Sequence, residues 1–338
     1  MKTTCPNCGN REARAGQICR CFRCGLEWKP ARVVQKKFYC IDHQGKSGAY
    51  ISALLARGWE RTDRYSDAAF LLVDIDAAGR RSQIRDFCIQ NPRPVFMYPH
   101  CSRPVIQWDG MYTPSECVTA VFTLGQAGVD VPKTYGYKKP IHAVGWPYGD
   151  ILPFRPCRRP KNILFAPIHV NGNLFLSNEQ RSYNSETFRR LLKTRWINLT
   201  VRYLYDLEAT GLWHVPGVEY IKGKPDQSTR EIDAADLVVS HQTMAYIAIA
   251  RGAPTVMMAE DAWPISQAKP NDARRPKTWD TYKHLMVYPY DILATNKTRS
   301  LFDRAGASDA GIADWRNRHI GGPFQPDKFV DILEAYLA

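Results

Sequence analysis

Short, uninterrupted apolar runs, each closed by turn-forming residues, recur along the chain in two series. Runs apolar at consecutive positions, rather than alternate ones, suit strands buried on both faces of a parallel sheet. The first series is Val33-Val34 with Phe38-Tyr39-Cys40-Ile41, then Phe70 to Val73, Val95 to Tyr98, Ala120 to Leu124 and Ile141 to Val144. The second is Asn162 to Ala166, Trp196 to Val201, Val218 to Ile221, Leu237 to Ser240 and Thr255 to Met258. Helix-period stretches fall between them, at Ala49–Arg57, Ser185–Lys193, Ser228–Ala235 and Thr243–Arg251. Strand alternating with helix predicts an α/β chain of two Rossmann-like domains, over residues 35–150 and 160–322. Between them Pro153–Lys161, with three prolines and four basic residues, reads as a linker.

Composition permits this division, since 338 residues at 44% hydrophobic can bury two moderate cores. No apolar run approaches the roughly 18 residues of a membrane span, and the opening MKTTCPNCGN lacks a secretory apolar region. A cytoplasmic location is expected. Five of the ten cysteines crowd into residues 5–24 and none lies beyond Cys157, which points to metal and a reducing compartment rather than disulfides. The sequons at Asn198 and Asn296 are then expected to stay unmodified.

Cys5-Pro6-Asn7-Cys8-Gly9 and Cys21-Phe22-Arg23-Cys24-Gly25 are two CxxCG knuckles separated by twelve residues. Four thiolates so spaced satisfy tetrahedral Zn2+, and in a segment too short for its own core the metal supplies the folding free energy. A structural zinc ribbon over residues 1–30, ligated by Cys5, Cys8, Cys21 and Cys24, is expected, with Cys19 outside the ligand set. Residues 1–37 carry nine Lys or Arg against Glu12 and Glu27, a surplus of seven within the chain's net charge of +13. With Phe22 and Trp28 beside these cations, the segment has the charge and aromatic surface that nucleic-acid contacts use. A structural clip or a protein-docking module has the same spacing.

The string Gly45-Lys46-Ser47 after the first strand is not a phosphate-binding P-loop, because the first glycine of GxxxxGK[ST] falls at Cys40.

Three segments carry a resemblance. Val144-Gly145-Trp146-Pro147-Tyr148-Gly149-Asp150 looks like a domain-closing Gly-x-Pro-x-x-Asp turn. Asn162-Ile163-Leu164-Phe165-Ala166-Pro167 looks like the opening strand of a second domain. Ala235-Asp236-Leu237-Val238-Val239-Ser240 followed by Gly252-Ala253-Pro254-Thr255-Val256 looks like a donor-nucleotide signature. Together they resemble the GT-B glycosyltransferase superfamily, in the branch holding CDP-glycerol glycerophosphotransferases and UDP-GlcNAc 2-epimerase-like proteins. The resemblance implies a C-terminal nucleotide-sugar domain, an N-terminal acceptor domain, and a tail, residues 323–338, whose helix packs back toward the first domain. One position departs: where many members have Glu five residues before the Gly of GxP, this chain has Ile247, and Glu260 and Asp261 are the candidates for holding the donor ribose.

On the donor side, Ser240, His241, Gln242 and Thr243 lead into a helix whose free N–H groups and positive dipole end suit a diphosphate, with Thr243 as the expected N-cap. His169, Arg202 and Lys222 stand at neighbouring strand ends. In the first domain Asp42 and His43 end the first strand, where a base must take the proton of an acceptor hydroxyl. His100 and Arg103, with Trp108 as a stacking surface, are further acceptor-side candidates.

The resulting expectation is transfer of a sugar from a nucleotide sugar to an acceptor, chosen by the basic ribbon. DNA carrying a hydroxymethylated pyrimidine is that acceptor, as for GT-B enzymes with which bacteriophages decorate their genomes, which would place the chain in the host cytoplasm. Two alternatives stand beside it: transfer to a surface polymer or glycan, and a non-catalytic nucleic-acid-binding GT-B scaffold.

Overall fold

The structure, a computed structural model, describes residues 36–42, 47–74, 93–98, 118–134, 138–155, 160–167, 176, 178–194, 196–204, 206–223, 228–240, 242–257 and 310–338, together with the backbone of 3–4, 11–12, 19–20 and 27–28. The chain divides into two units, Met1–Lys36 and Lys37–Ala338.

In the first unit β1 (Thr3–Thr4) pairs antiparallel with β2 (Arg11–Glu12), and β3 (Cys19–Arg20) with β4 (Glu27–Trp28). Each pair brackets one knuckle in sequence: Cys5 and Cys8 fall between β1 and β2, Cys21 and Cys24 between β3 and β4. These four cysteines, and Val33-Val34, lie outside the described residues, whereas Cys19 is a strand residue in register with Trp28.

The second unit holds two all-parallel sheets. The first consists of β5 (Lys37–Ile41), β6 (Glu60–Arg61), β7 (Phe70–Asp74), β8 (Val95–Tyr98), β9 (Ala120–Thr123) and β10 (Ile141–Ala143) in the order β10-β9-β8-β7-β5-β6. Strands β7, β8 and β9 are buried at every position, as continuous apolar runs covered on both faces must be. Helix α1 (Gly48–Ala56) follows β5, and α2 (Ala127–Thr134) joins β9 to β10. The second sheet consists of β11 (Asn162–Phe165), β12 (Asn198–Tyr203), β13 (Glu219–Lys222), β14 (Leu237–Ser240) and β15 (Thr255–Met257) in the order β13-β12-β11-β14-β15. Helices α3 (Asn178–Leu192), α4 (Ser228–Ala234) and α5 (Gln242–Ala250) connect its strands. Its core gathers Phe165, Phe188, Leu199, Val201, Val239 and Tyr246, and takes in Leu124, Trp146 and Ile320 from the segments that pass between the sheets.

Two chain crossings run side by side. Residues 144–146 meet 322–325 through Trp146 N–H to Gly322 O at 2.9 Å and Gln325 N–H to Val144 O at 2.8 Å, with Trp146 and Pro323 forming a parallel bridge. After α6 (Ala310–His319), helix α7 (Pro326–Leu337) lies on the first sheet and α1. Phe329 is fully buried among the rings of Tyr50 and Phe122, with centroids at 5.1 and 4.6 Å. Arg57 reaches Asp327, Asp331 and Glu334, and the indole N–H of Trp59 donates to Glu334 at 3.0 Å.

The segment expected to be a linker is tied down where it is described. Leu152 N–H donates to Ala250 O and Arg155 N–H to Gly252 O, at 2.9 and 2.8 Å. The Arg155 guanidinium donates to the carbonyls of Asp233 and Ile232 at 2.7 and 2.9 Å, closing the C-terminal end of α4. Cations there complement both the free carbonyls and the helix dipole. Arg155→Ala is expected to lower stability by about 1–2 kcal/mol, read from the urea midpoint at unchanged m-value.

Candidate functional site

In a doubly wound sheet, ligands bind outside the carboxyl ends of the strands, where the order of laying reverses. The first sheet reverses at β5, whose neighbours are the later strands β6 and β7. The second reverses at β11, between β12 and β14.

Polar groups converge on the first of these points. Asp42 follows β5 directly, and the buried Asp74 ends β7 in register with Tyr98, the fully buried last residue of β8. The Asp42 carboxylate accepts from Ser47 at Oδ2, through the hydroxyl at 2.5 Å and the backbone N–H at 3.3 Å, and its Oδ1 stands 3.5 Å from the Tyr98 hydroxyl. Burial raises the Tyr98 phenol far above its ordinary value, the neighbouring carboxylates Asp74 and Asp42 add to the rise and a hydrogen bond with Ser47 opposes it, so the hydroxyl keeps its proton beside Ser47 and Asp42. Burial likewise pushes the Cys40 thiol up to about 11, so it is a neutral, unreactive group beneath the site. What remains is a half-exposed carboxylate held by the buried Ser47 hydroxyl, with the Tyr98 hydroxyl 3.5 Å from its other oxygen, a geometry suited to accepting a proton from a substrate hydroxyl.

At the second point β14 ends on the buried Ser240, and α5 begins two residues later at Gln242, directing its free N–H groups to the carboxyl edge of the sheet. Phe165 is in register with both Val201 and Val239, so one residue further on Arg202, Ala166 and Ser240 form a row across three strands. The Cα atoms of Arg202 and Ser240 are therefore about 10 Å apart, two strand spacings, with the Arg202 side chain turned toward the β13 edge. Arg202 is 5% exposed, and its guanidinium lies against Gly223, just past β13, where a Cβ would meet it. Glycine is needed there for room. Gly223→Ala is expected to displace the Arg202 head group and lower stability by about 1–3 kcal/mol, read from the urea midpoint, while Glu219→Ala on β13 changes it by less than about 1 kcal/mol.

Several expectations change in detail. Arg202 is a buried residue within β12, which runs two residues later than the apolar pattern indicated, rather than a residue beyond its end. Lys222 is the last residue of the edge strand β13 and is exposed. Thr243 is not the N-cap of α5: the helix already includes Gln242, so Thr243 sits in the first turn. His43, His100, Arg103, Trp108, His169, His241, Glu260 and Asp261 lie outside the described residues. Sequence marks Ser47 only as part of the failed P-loop string and Asp74 only as an ordinary strand terminus, despite the DxD spacing of Asp74-Ile75-Asp76, and it does not single out Tyr98; the sheet register brings all three to Asp42.

The two sheets together define the class of the fold: a two-Rossmann-domain α/β chain of the GT-B type. The S. aureus MnaA–UDP complex shares it at a TM-score of 0.53 and 11% identity, over 89% of this chain and 96% of that one. A putative UDP-N-acetylglucosamine 2-epimerase from Listeria monocytogenes aligns at 0.49 and 11% identity over 89% and 96% of the two chains. The glycosyltransferase SnogD from Streptomyces nogalater aligns at 0.48 and 10% identity over 88% and 98%. No protein-family profile matches the chain, and no curated protein matches its sequence.

Proposed function

We propose that the chain is a glycosyltransferase that moves a sugar from a nucleotide-sugar donor to an acceptor hydroxyl. The observation that carries this reading is the second switch point: a strand ending on Ser240, a helix N-terminus following at once, and a buried Arg202 in the same row. The helix N-terminus offers oriented N–H groups to a diphosphate and stabilises it further as it leaves with the electron pair of the broken sugar–oxygen bond, while Arg202, packed toward Gly223, adds positive charge at longer range. His169, His241, Gln242, Thr243 and Lys222 complete the donor side in this reading, with Glu260 and Asp261 on the ribose. Asp42 takes the acceptor proton as the new sugar–oxygen bond forms and the sugar–diphosphate bond breaks. His43, His100, Arg103 and Trp108 contact the acceptor.

The acceptor is DNA bearing a hydroxymethylated pyrimidine. Support comes from the basic surplus and aromatic residues of the first unit, where Cys5, Cys8, Cys21 and Cys24 hold a structural Zn2+. The paired strands that bracket each knuckle fit such a ribbon. The test is nucleoside diphosphate release from a panel of nucleotide sugars, with and without duplex containing 5-hydroxymethylcytosine. Release that depends on the hydroxymethylated duplex is expected. Release unchanged by any duplex would remove DNA as the acceptor, and no release with any donor would remove the transferase reading itself.

A further inference from the structure

Ser47 occupies the N-cap position of α1, where a serine ordinarily accepts a hydrogen bond from an N–H of the first turn. It makes no such cap. Its backbone is helical, at φ −78° and ψ −4°, and its hydroxyl is turned instead to Asp42. A local rule broken at a completely buried residue needs an explanation outside the helix. That hydroxyl donates to the Asp42 carboxylate at the first switch point, which also receives the Ser47 amide, and it stands beside the Tyr98 hydroxyl and the Cys40 thiol as well.

We propose that Ser47 and Tyr98 are positioning residues for Asp42, fixing the direction of its carboxylate and keeping it in the proton-accepting form. The proposal rests on the transferase reading above. Two donors from Ser47 fasten Oδ2, so the side chain cannot rotate about its terminal torsion. Tyr98, at the end of β8, brings its hydroxyl within 3.5 Å of Oδ1 and next to the Ser47 hydroxyl. Hydrogen bonds to the charged form of a carboxylate favour that form, and the positive end of α1 acts in the same sense. Among the described residues the opposing influence is Asp74, a second carboxylate at the end of β7. Cys40 on β5 is neutral, and Arg61 on β6 acts on Cys40 from the other side. Ser47 and Tyr98 thus counteract a neighbouring like charge, which is the work a positioning residue performs for a base.

The test uses the full-length chain labelled with 13C at the Asp carboxyls. The Asp42 resonance is assigned by its loss in Asp42→Asn, and its titration is followed in wild type, Ser47→Ala and Tyr98→Phe, each of which removes only a hydroxyl. Ser47→Ala is expected to raise the Asp42 midpoint by about one pH unit, and Tyr98→Phe by less. The acid limb of the kcat–pH profile should move up by the same interval, with kcat at its plateau about tenfold lower and KM within about twofold. A hydroxyl serving only to close the loop onto α1 would lower the melting temperature without moving the midpoint. Midpoints unchanged in both variants, with wild-type transfer intact, would overturn the positioning role. Midpoints shifted in the variants, with a wild type that transfers no sugar, would instead remove the transferase reading. Should Ser47→Ala fail to fold, Tyr98→Phe supplies the same readout from the opposite oxygen.

Discussion

Asp42→Asn is expected to lower kcat for sugar transfer by about 10²–10⁴-fold, the usual contribution of a general base, while donor KM stays within about threefold. The asparagine side chain keeps the shape of the carboxylate, and its carbonyl oxygen can still accept from the Ser47 amide and hydroxyl that hold Oδ2 at 3.3 and 2.5 Å. Stability should therefore change by only about 1 kcal/mol. What the variant loses is the ability to bind the proton released by the acceptor. Steady-state kinetics with the melting temperature as a control check this, and a fall in kcat of less than about fivefold would place the base elsewhere.

Gly252→Ala is expected to cost about 2–4 kcal/mol of stability, seen as a lower urea midpoint. Helix α5 ends in a Schellman motif, with Ala253 N–H on Ala248 O at 2.8 Å and Gly252 N–H on Ile249 O at 3.0 Å, and Gly252 takes the left-handed conformation at φ 69° that this motif requires. A Cβ there would also run into the Pro153 carbonyl, with the Leu152 carbonyl at 3.0 Å, because the segment joining the two sheets lies directly on the glycine. Both penalties fall on backbone that cannot give way. The glycine of the donor signature thus has a reason to be glycine that does not involve a nucleotide. The folded fraction of the variant should bind a nucleoside diphosphate as wild type does, measured well below the unfolding midpoint.

The sheets were legible because their strands are continuous apolar runs punctuated by turn residues, and ten of the expected runs correspond to strands. Less visible were elements whose making is tertiary. Helix α2 contains Gly128 and Pro132, both unfavourable to helices, and β6 is only two exposed residues annealed to the edge at β5. Helix α3 begins seven residues before the apolar periodicity does, on a polar stretch from Asn178. The site divides along the same line. Asp42 stands out in sequence as an acid ending a strand, whereas Tyr98 reads as the last apolar residue of β8 and Ser47 as part of a failed phosphate motif. Asp74 reads as an ordinary strand terminus. Their meeting depends on β7 and β8 lying beside β5 in a fixed register, which no local pattern encodes. Arg202 shows the converse: sequence marked the residue, but not that a bare glycine on the neighbouring strand end would let it be buried.

The most direct measurement is nucleoside mass spectrometry after incubating the purified chain with nucleotide sugars and duplex DNA containing 5-hydroxymethylcytosine or plain cytosine. The account predicts a sugar-sized mass gain on the hydroxymethylated base alone, lost in Asp42→Asn and reduced when residues 1–30 are deleted. No gain with any donor, although the DNA is bound tightly, would contradict it and leave a GT-B scaffold that reads nucleic acid without modifying it.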